Sequence, residues 1–68
     1  MPRDIERLIT LTRAERISTR RMAVYALGGH VLLNEKEVVA ALIERHKIDE
    51  DDLVRSNSAN ALGQVLRQ

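Results

Sequence analysis

Apolar side chains recur three and four positions apart in four separate stretches, the spacing of an amphipathic helix. The first holds Ile5, Leu8, Ile9 and Thr12 and predicts a helix from about Arg3 to Arg13, with Arg3 and Arg7 on its far side. Pro2 suits a first-turn position, Asp4 and Glu6 lie at the positive end of the helix dipole, and Arg13 lies at the negative end. A second helix, capped by Ser18 or Thr19, turns Met22, Ala23, Ala26 and Leu27 inward, with Val24 and Tyr25 flanking, and stops at Gly28-Gly29. Val31-Leu32-Leu33 reads as either a short strand or a packed loop. Asn34 then caps a third helix and Glu37 completes a capping box. Val38, Val39, Leu42, Ile43 and His46 form its buried stripe, while Lys36, Ala40, Glu44 and Lys47 face away. The fourth helix follows Asp49 or Asp51 and buries Val54, Ser58, Ala61, Leu62 and Val65. Ser56, Ala59 and Gly63 are small at helical spacing, so a neighbouring helix can come close there. A mid-helix glycine costs about 1 kcal/mol relative to alanine, and Gly63 therefore implies such a contact or a bend.

Composition narrows the class. Residues 1–68 make one small helical domain, near the lower size limit for folding alone. Leu, Ile and Val supply twenty residues and Ala seven, Tyr25 is the one aromatic, and the core is therefore aliphatic. There is no cysteine, hence no disulfide and no thiolate chemistry. No apolar run approaches a membrane span, and Met-Pro-Arg-Asp is not a signal peptide, so the reading is a soluble, cytoplasmic protein. The net charge of +1 conceals an asymmetry. Residues 1–34 carry six arginines against Asp4, Glu6 and Glu15, whereas residues 35–68 hold five basic and seven acidic side chains. Arg20 and Arg21 stand in the first turn of the second helix, against its dipole, and call for an acidic partner or an anionic ligand.

Chemistry is hard to find. His30 and His46 lie in different elements without cysteines or carboxylates at ligand spacing, so no metal site is predicted. Ser18, Ser56 and Ser58 lack a positioned base. Glu50-Asp51-Asp52 lacks the glycine and spacing of a calcium loop, and Gly28-Gly29 is not followed by the Lys-Ser/Thr of a phosphate loop. No enzyme, no cofactor and no small-molecule substrate are expected.

Displacing the chain by 35 residues superposes Arg20 on Arg55, Ala26 on Ala61, Leu27 on Leu62 and Gly28 on Gly63. A period of this size is typical of helical-hairpin repeats. Asp49-Glu50-Asp51, Val54-Arg55, Ala59 and Ala61-Leu62-Gly63 resemble the first-helix signature of HEAT-like repeats, of the phycobilisome-lyase-like kind. Arg20, Ala23 and Ala26-Leu27-Gly28 are similar in the same register, and Asn34 to Lys47 resembles the second helix of such a repeat. The first helix would then be the second helix of a preceding half-repeat. The resemblance implies an all-α fold of four helices in two antiparallel hairpins, a fragment of a right-handed α-superhelix. It also implies that Val54 is core and that Arg55 pairs with an acid of the Asp49–Asp52 turn. A solenoid normally needs about three repeats. The chain is therefore expected to be short or truncated, or to cover its open ends by pairing with a second copy of itself.

The function implied is a protein-interaction or scaffold module with a protein partner. Its candidate contact residues are Arg20 and Arg21 and the polar stripe Asn57, Asn60, Gln64 and Arg67. The alternative is a small helix-turn-helix DNA-binding regulator in which that stripe reads base edges, since Asn, Gln and Arg make bidentate contacts with purines. Against it stand the four acids before the fourth helix, which would oppose phosphate contact where such a helix meets its bases.

Overall fold

Four helices, α1 (Arg3–Leu11), α2 (Ile17–Gly29), α3 (Lys36–Ile48) and α4 (Asp52–Leu66), make up a computed structural model that describes residues 3–29 and 36–66. No strand occurs among the described residues. Val31-Leu32-Leu33, His30, the Asn34 cap and Arg67 lie outside them, and so does the side chain of Val65.

The packing pairs α1 with α2 and α3 with α4, rather than α2 with α3, and stacks the two hairpins through α2 on α4 and α1 on α3. Direction follows from the contacts. Arg20 and Arg21, early in α2, meet Asp49 and Asp51 at the start of α4, and Gly28, late in α2, lies against Ala61. The two helices therefore run side by side in the same sense. The shared interior is Ile5 of α1, Val24 and Leu27 of α2, Val38 and Leu42 of α3, and Val54 and Ala61 of α4, with Leu8, Ile9, Val39 and Leu62 packed around them. Each fully buried Val, Leu or Ile contributes about 1.5–3 kcal/mol. Two hydroxyls are also buried and both are satisfied within their own helix: Thr12 Oγ1 donates to Ile9 O at 2.6 Å, and Ser58 Oγ donates to Val54 O at 2.7 Å.

Several local expectations shift. The helix α1 ends at Leu11; Thr12 N–H still donates to Leu8 O at 3.1 Å, and tight turns follow in which Arg13 N–H and Ala14 N–H donate to Thr10 O and Leu11 O. Neither Ser18 nor Thr19 caps α2, which begins at Ile17; its cap position is Arg16, whose carbonyl accepts from Thr19 and Arg20 N–H. The buried side of α2 is Arg20, Ala23, Val24, Leu27 and Gly28, while Met22 is 50% and Tyr25 78% exposed. In α3 the buried side is Val38, Ala41 and Leu42; Ile43 is only partly covered and His46 is exposed, its Nδ1 3.2 Å from Arg55 O. Both corrections have one cause, an arginine on the inner side, described next. Of the two candidate caps of α4, Asp51 serves: its Oδ2 accepts from Val54 N–H at 2.9 Å.

Gly28 does not end its helix in a left-handed conformation. It is helical, buried and in close contact, for a Cβ placed on it would sit 3.0 Å from Ala61 Cβ and 3.3 Å from Ala61 Cα. Around its counterpart Gly63 no described residue beyond its chain neighbours and its own helix backbone comes within 4 Å of that position. The close approach expected at Gly63 is found at Gly28 instead.

Candidate functional site

Two surfaces bring the candidate residues together, and they differ in chemistry. At the starts of α2 and α4 lies a charged network. Arg20 is 7% exposed and its Nε and Nη2 donate to Asp49 Oδ2 and Oδ1 at 2.9 and 3.2 Å, the side-on bidentate pairing that a guanidinium makes with a carboxylate. Arg20 Nη1 donates to the carbonyls of Ala14 and Glu15, both at 2.9 Å. Asp49 also accepts from Arg45 Nη1 at 3.1 Å and from Asp51 N–H at 3.0 Å. Arg45 Nη2 passes the chain on to Glu44, which Arg13 of the first hairpin also reaches at 2.9 Å. Nearer the surface, Arg21 pairs with Asp51 through two bonds of 2.9 and 2.8 Å.

The electrostatics follow from that geometry. Burial pushes the Asp49 carboxyl up, but the Asp51 amide and the Arg20 and Arg45 guanidiniums outweigh it and hold the group below the usual aspartate range. The Arg21 hydrogen bond, helped by the Val54 amide and opposed by partial desolvation, takes Asp51 down to about 2. Arg13 does the same more modestly for Glu44. The cations that stand against the α2 dipole are thus answered by acids from the next hairpin. Arg55 is treated alike: its Nη1 donates to Asp49 O at 2.7 Å and its Nη2 pairs with Asp52, so the acid of the Asp49–Asp52 turn that it takes is the exposed one.

The second surface is the outer side of α2 and α4. A groove of about 350 Å³ runs between them, lined by Tyr25, Gly28, Gly29, Asn57, Asn60, Ala61 and Gln64. The absence of side chains at Gly28 and Gly29 makes its floor; Tyr25 forms one wall and the amide stripe the other. Repeat-equivalent positions stand across it, Tyr25 opposite in register to Asn60 and Gly29 to Gln64, with Met22 matching Asn57 further along. No charged side chain is among the described residues that line this groove, although 31% of the chain is charged. Arg21 and its partner Asp51 stand at its border, one helical turn before Tyr25. Of the candidate contact residues, then, Asn57, Asn60 and Gln64 share one groove, Arg21 is its neighbour, Arg20 is inside the protein, and Arg67 lies outside the described residues. Sequence reasoning missed Tyr25 and Met22. It took both as part of or flanking the core, although the same 35-residue offset that aligns the glycines sets them in register with Asn60 and Asn57.

Among the described residues no three histidine, cysteine or acidic side chains gather at metal-binding distance, and no helix is long and apolar enough to cross a membrane. Among the described residues that line it, the groove has no carboxylate, imidazole or amine that could move a proton. What it can do is pack a partner against the Tyr25 ring and exchange hydrogen bonds through amides, and aromatic side chains are enriched where proteins meet.

No curated protein and no solved structure matches the chain. The sequence profile of one family, HEAT repeats, matches residues 5–67. Two stacked hairpins, an arginine early in α2 and α4 tied back to the turn before it, a core valine at position 54 and a match covering nearly the whole length agree, and the chain belongs to the HEAT-repeat family.

Proposed function

We propose that this chain is a non-enzymatic protein-interaction module and that its docking surface is the outer side of α2 and α4. Members of the family generally mediate protein–protein scaffolding, typically without a chemical step. The spacing from Asp49 to Gly63 supports reading its repeats as the phycobilisome-lyase-like kind. The observation that carries the reading is a groove whose described lining is uncharged and is edged by Tyr25, which is 78% exposed. A partner that covers Tyr25 and Met22 gains about 1.5–3 kcal/mol for each, and Asn57, Asn60 and Gln64 fix its register by hydrogen bonds. Arg21 contributes at the rim, and Arg20 acts from within by holding the two helices at their present spacing.

A photo-crosslinker placed at Tyr25 or Asn60 is expected to couple to protein partners that one placed at Glu6, exposed on α1, does not reach. In a parallel titration, the chain is expected to show no affinity for duplex DNA even at low salt. Crosslinks that fail to distinguish Tyr25 from Glu6 would refute the docking surface. DNA affinity that falls steeply as salt rises would favour the base-reading alternative.

A further inference from the structure

Two primary amides on the α4 wall of the groove are uncommitted: the side chains of Asn57 and Asn60 make no hydrogen bond to any described residue. Each offers a carbonyl oxygen that accepts and an NH2 that donates. A peptide unit offers the same two functions, one N–H and one C=O. The amides therefore match main chain, and only main chain whose groups are still free. In a helix those groups are already bonded to each other along the axis, whereas in a lone extended segment they are not.

The shape of the groove makes the same selection. Gly28 brings α2 to van der Waals contact with Ala61, so the two helix axes approach to about 8 Å, the close end of the usual range. A third helix, about 10–12 Å across with its side chains, would rest on the rims of so narrow a groove. Gly29 is exposed, and a Cβ built on it meets no described residue within 4 Å beyond its chain neighbours and its own helix backbone. Main chain can therefore come down onto the glycine floor. Along α4 the wall of Asn57, Asn60 and Gln64 is about 10 Å long, a length that extended chain covers in about three residues.

Charge restricts the occupant further. The described lining is neutral, and the cation and anion at its border, Arg21 and Asp51, satisfy each other through two bonds of 2.9 and 2.8 Å. A charged side chain laid in the groove would lose water and gain no counter-ion. One helical turn before Tyr25 and Asn57, the exposed Met22 and Leu53 continue the two walls as apolar surface.

Resting on the docking surface proposed above, we infer that the groove takes an extended, uncharged segment of a partner protein and holds it by its main chain. Asn57 and Asn60 accept from the N–H groups of the segment and donate to its C=O groups. The Tyr25 ring packs along its other edge, and an apolar side chain of the segment lies on Met22 and Leu53.

Phage-displayed random short peptides, selected on the full-length chain, supply the probe. The enriched peptides are expected to share a short uncharged run, and one of them, synthesised with a fluorophore, to bind the chain in an anisotropy titration. Asn60→Leu lies at an exposed helix position and leaves thermal unfolding intact, yet it removes two hydrogen bonds and weakens binding about tenfold. N-methylation of a main-chain amide inside the run has a similar effect, and methylation outside it has none. Gly29→Leu fills the floor and abolishes binding. A selection that yields no peptide sensitive to Asn60→Leu overturns the inference, as does a run rich in charge or a peptide that turns helical on binding by circular dichroism. Binding lost with Tyr25→Ala but indifferent to Asn60→Leu and to N-methylation overturns the extended segment and leaves the docking surface standing. Binding indifferent to Tyr25→Ala and Gly29→Leu alike removes both.

Discussion

Gly28 and Gly63 are equivalent by sequence and opposite by environment, so the same substitution at each isolates the cost of crowding. Replacing a helical glycine by alanine restricts the unfolded chain and favours the helix by about 0.5–1 kcal/mol. Both glycines stand near the end of their helix, and this gain is similar for both. At Gly63 nothing among the described residues opposes it, because a new methyl meets none of their atoms within 4 Å beyond its chain neighbours and its own helix backbone. At Gly28 the methyl arrives 3.0 Å from Ala61 Cβ and 3.3 Å from its Cα. Those atoms belong to, or are fixed to, the α4 backbone, so relief requires α4 to move as a body by several tenths of an ångström. Such a shift also strains the Arg20–Asp49 and Arg21–Asp51 bonds at the other end of the same interface. Inserting a methyl into a packed contact costs about 1–3 kcal/mol. Gly28→Ala should therefore be less stable than Gly63→Ala by about 1–3 kcal/mol, the propensity term cancelling between them. In a domain of this size each 1 kcal/mol moves the midpoint by about 4–8 °C. Thermal and urea unfolding followed by circular dichroism at 222 nm on wild type and both variants measures the difference. A Gly28→Ala chain as stable as Gly63→Ala would show that the interface yields without cost, and the account of α2–α4 packing would be wrong.

Two further expectations concern the charged network. Asp49→Asn leaves Arg20 and Arg45 desolvated without their carboxylate and should cost about 3 kcal/mol or more, the usual consequence of removing one member of a buried pair. Asp52→Asn, at an exposed site, should leave the urea midpoint almost unmoved; equal effects at the two positions would contradict the burial of Asp49. Stability should also fall in acid. The Asp49, Asp51 and Glu44 carboxyls titrate below their ordinary values in the folded chain, Asp51 at about 2 against 3.8, so below about pH 5 the unfolded chain binds more protons. The stability these groups contribute is complete above that pH and is lost progressively toward pH 2. Urea midpoints that stay level or rise between pH 5 and pH 2.5 would contradict the network.

The sequence-based reading found the four helices, the repeat and the pairing of Arg55 because each leaves a local signal: apolar spacing, the aspartates at the start of α4, and the offset that aligns Ala-Leu-Gly with itself. It misplaced the inner sides of α2 and α3 for one physical reason. Neither Arg20 nor Arg45 enters the apolar stripes read from the spacing, and their inward position turns the buried side away from Met22 in one helix and from Ile43 and His46 in the other. Each arginine is inside because Asp49, a residue of the turn that caps no helix itself, accepts from both. That pairing spans 29 positions from Arg20 to Asp49, so the position of Arg20 against the dipole calls for an acid without saying which one. The groove was half legible. Its amide wall follows from the polar stripe of α4, but its aromatic wall depended on knowing that Tyr25 faces outward.

The sharing of Asp49 between units also governs how the protein comes apart. A solenoid is usually treated as a row of nearly autonomous segments joined by nearest-neighbour terms. Here the first segment holds a desolvated cation whose counter-ion belongs to the second, so neither half is electrically complete when parted. Partial melting at one end strands a charge at the other, and the two halves are bound to a single all-or-none transition despite their repetitive origin.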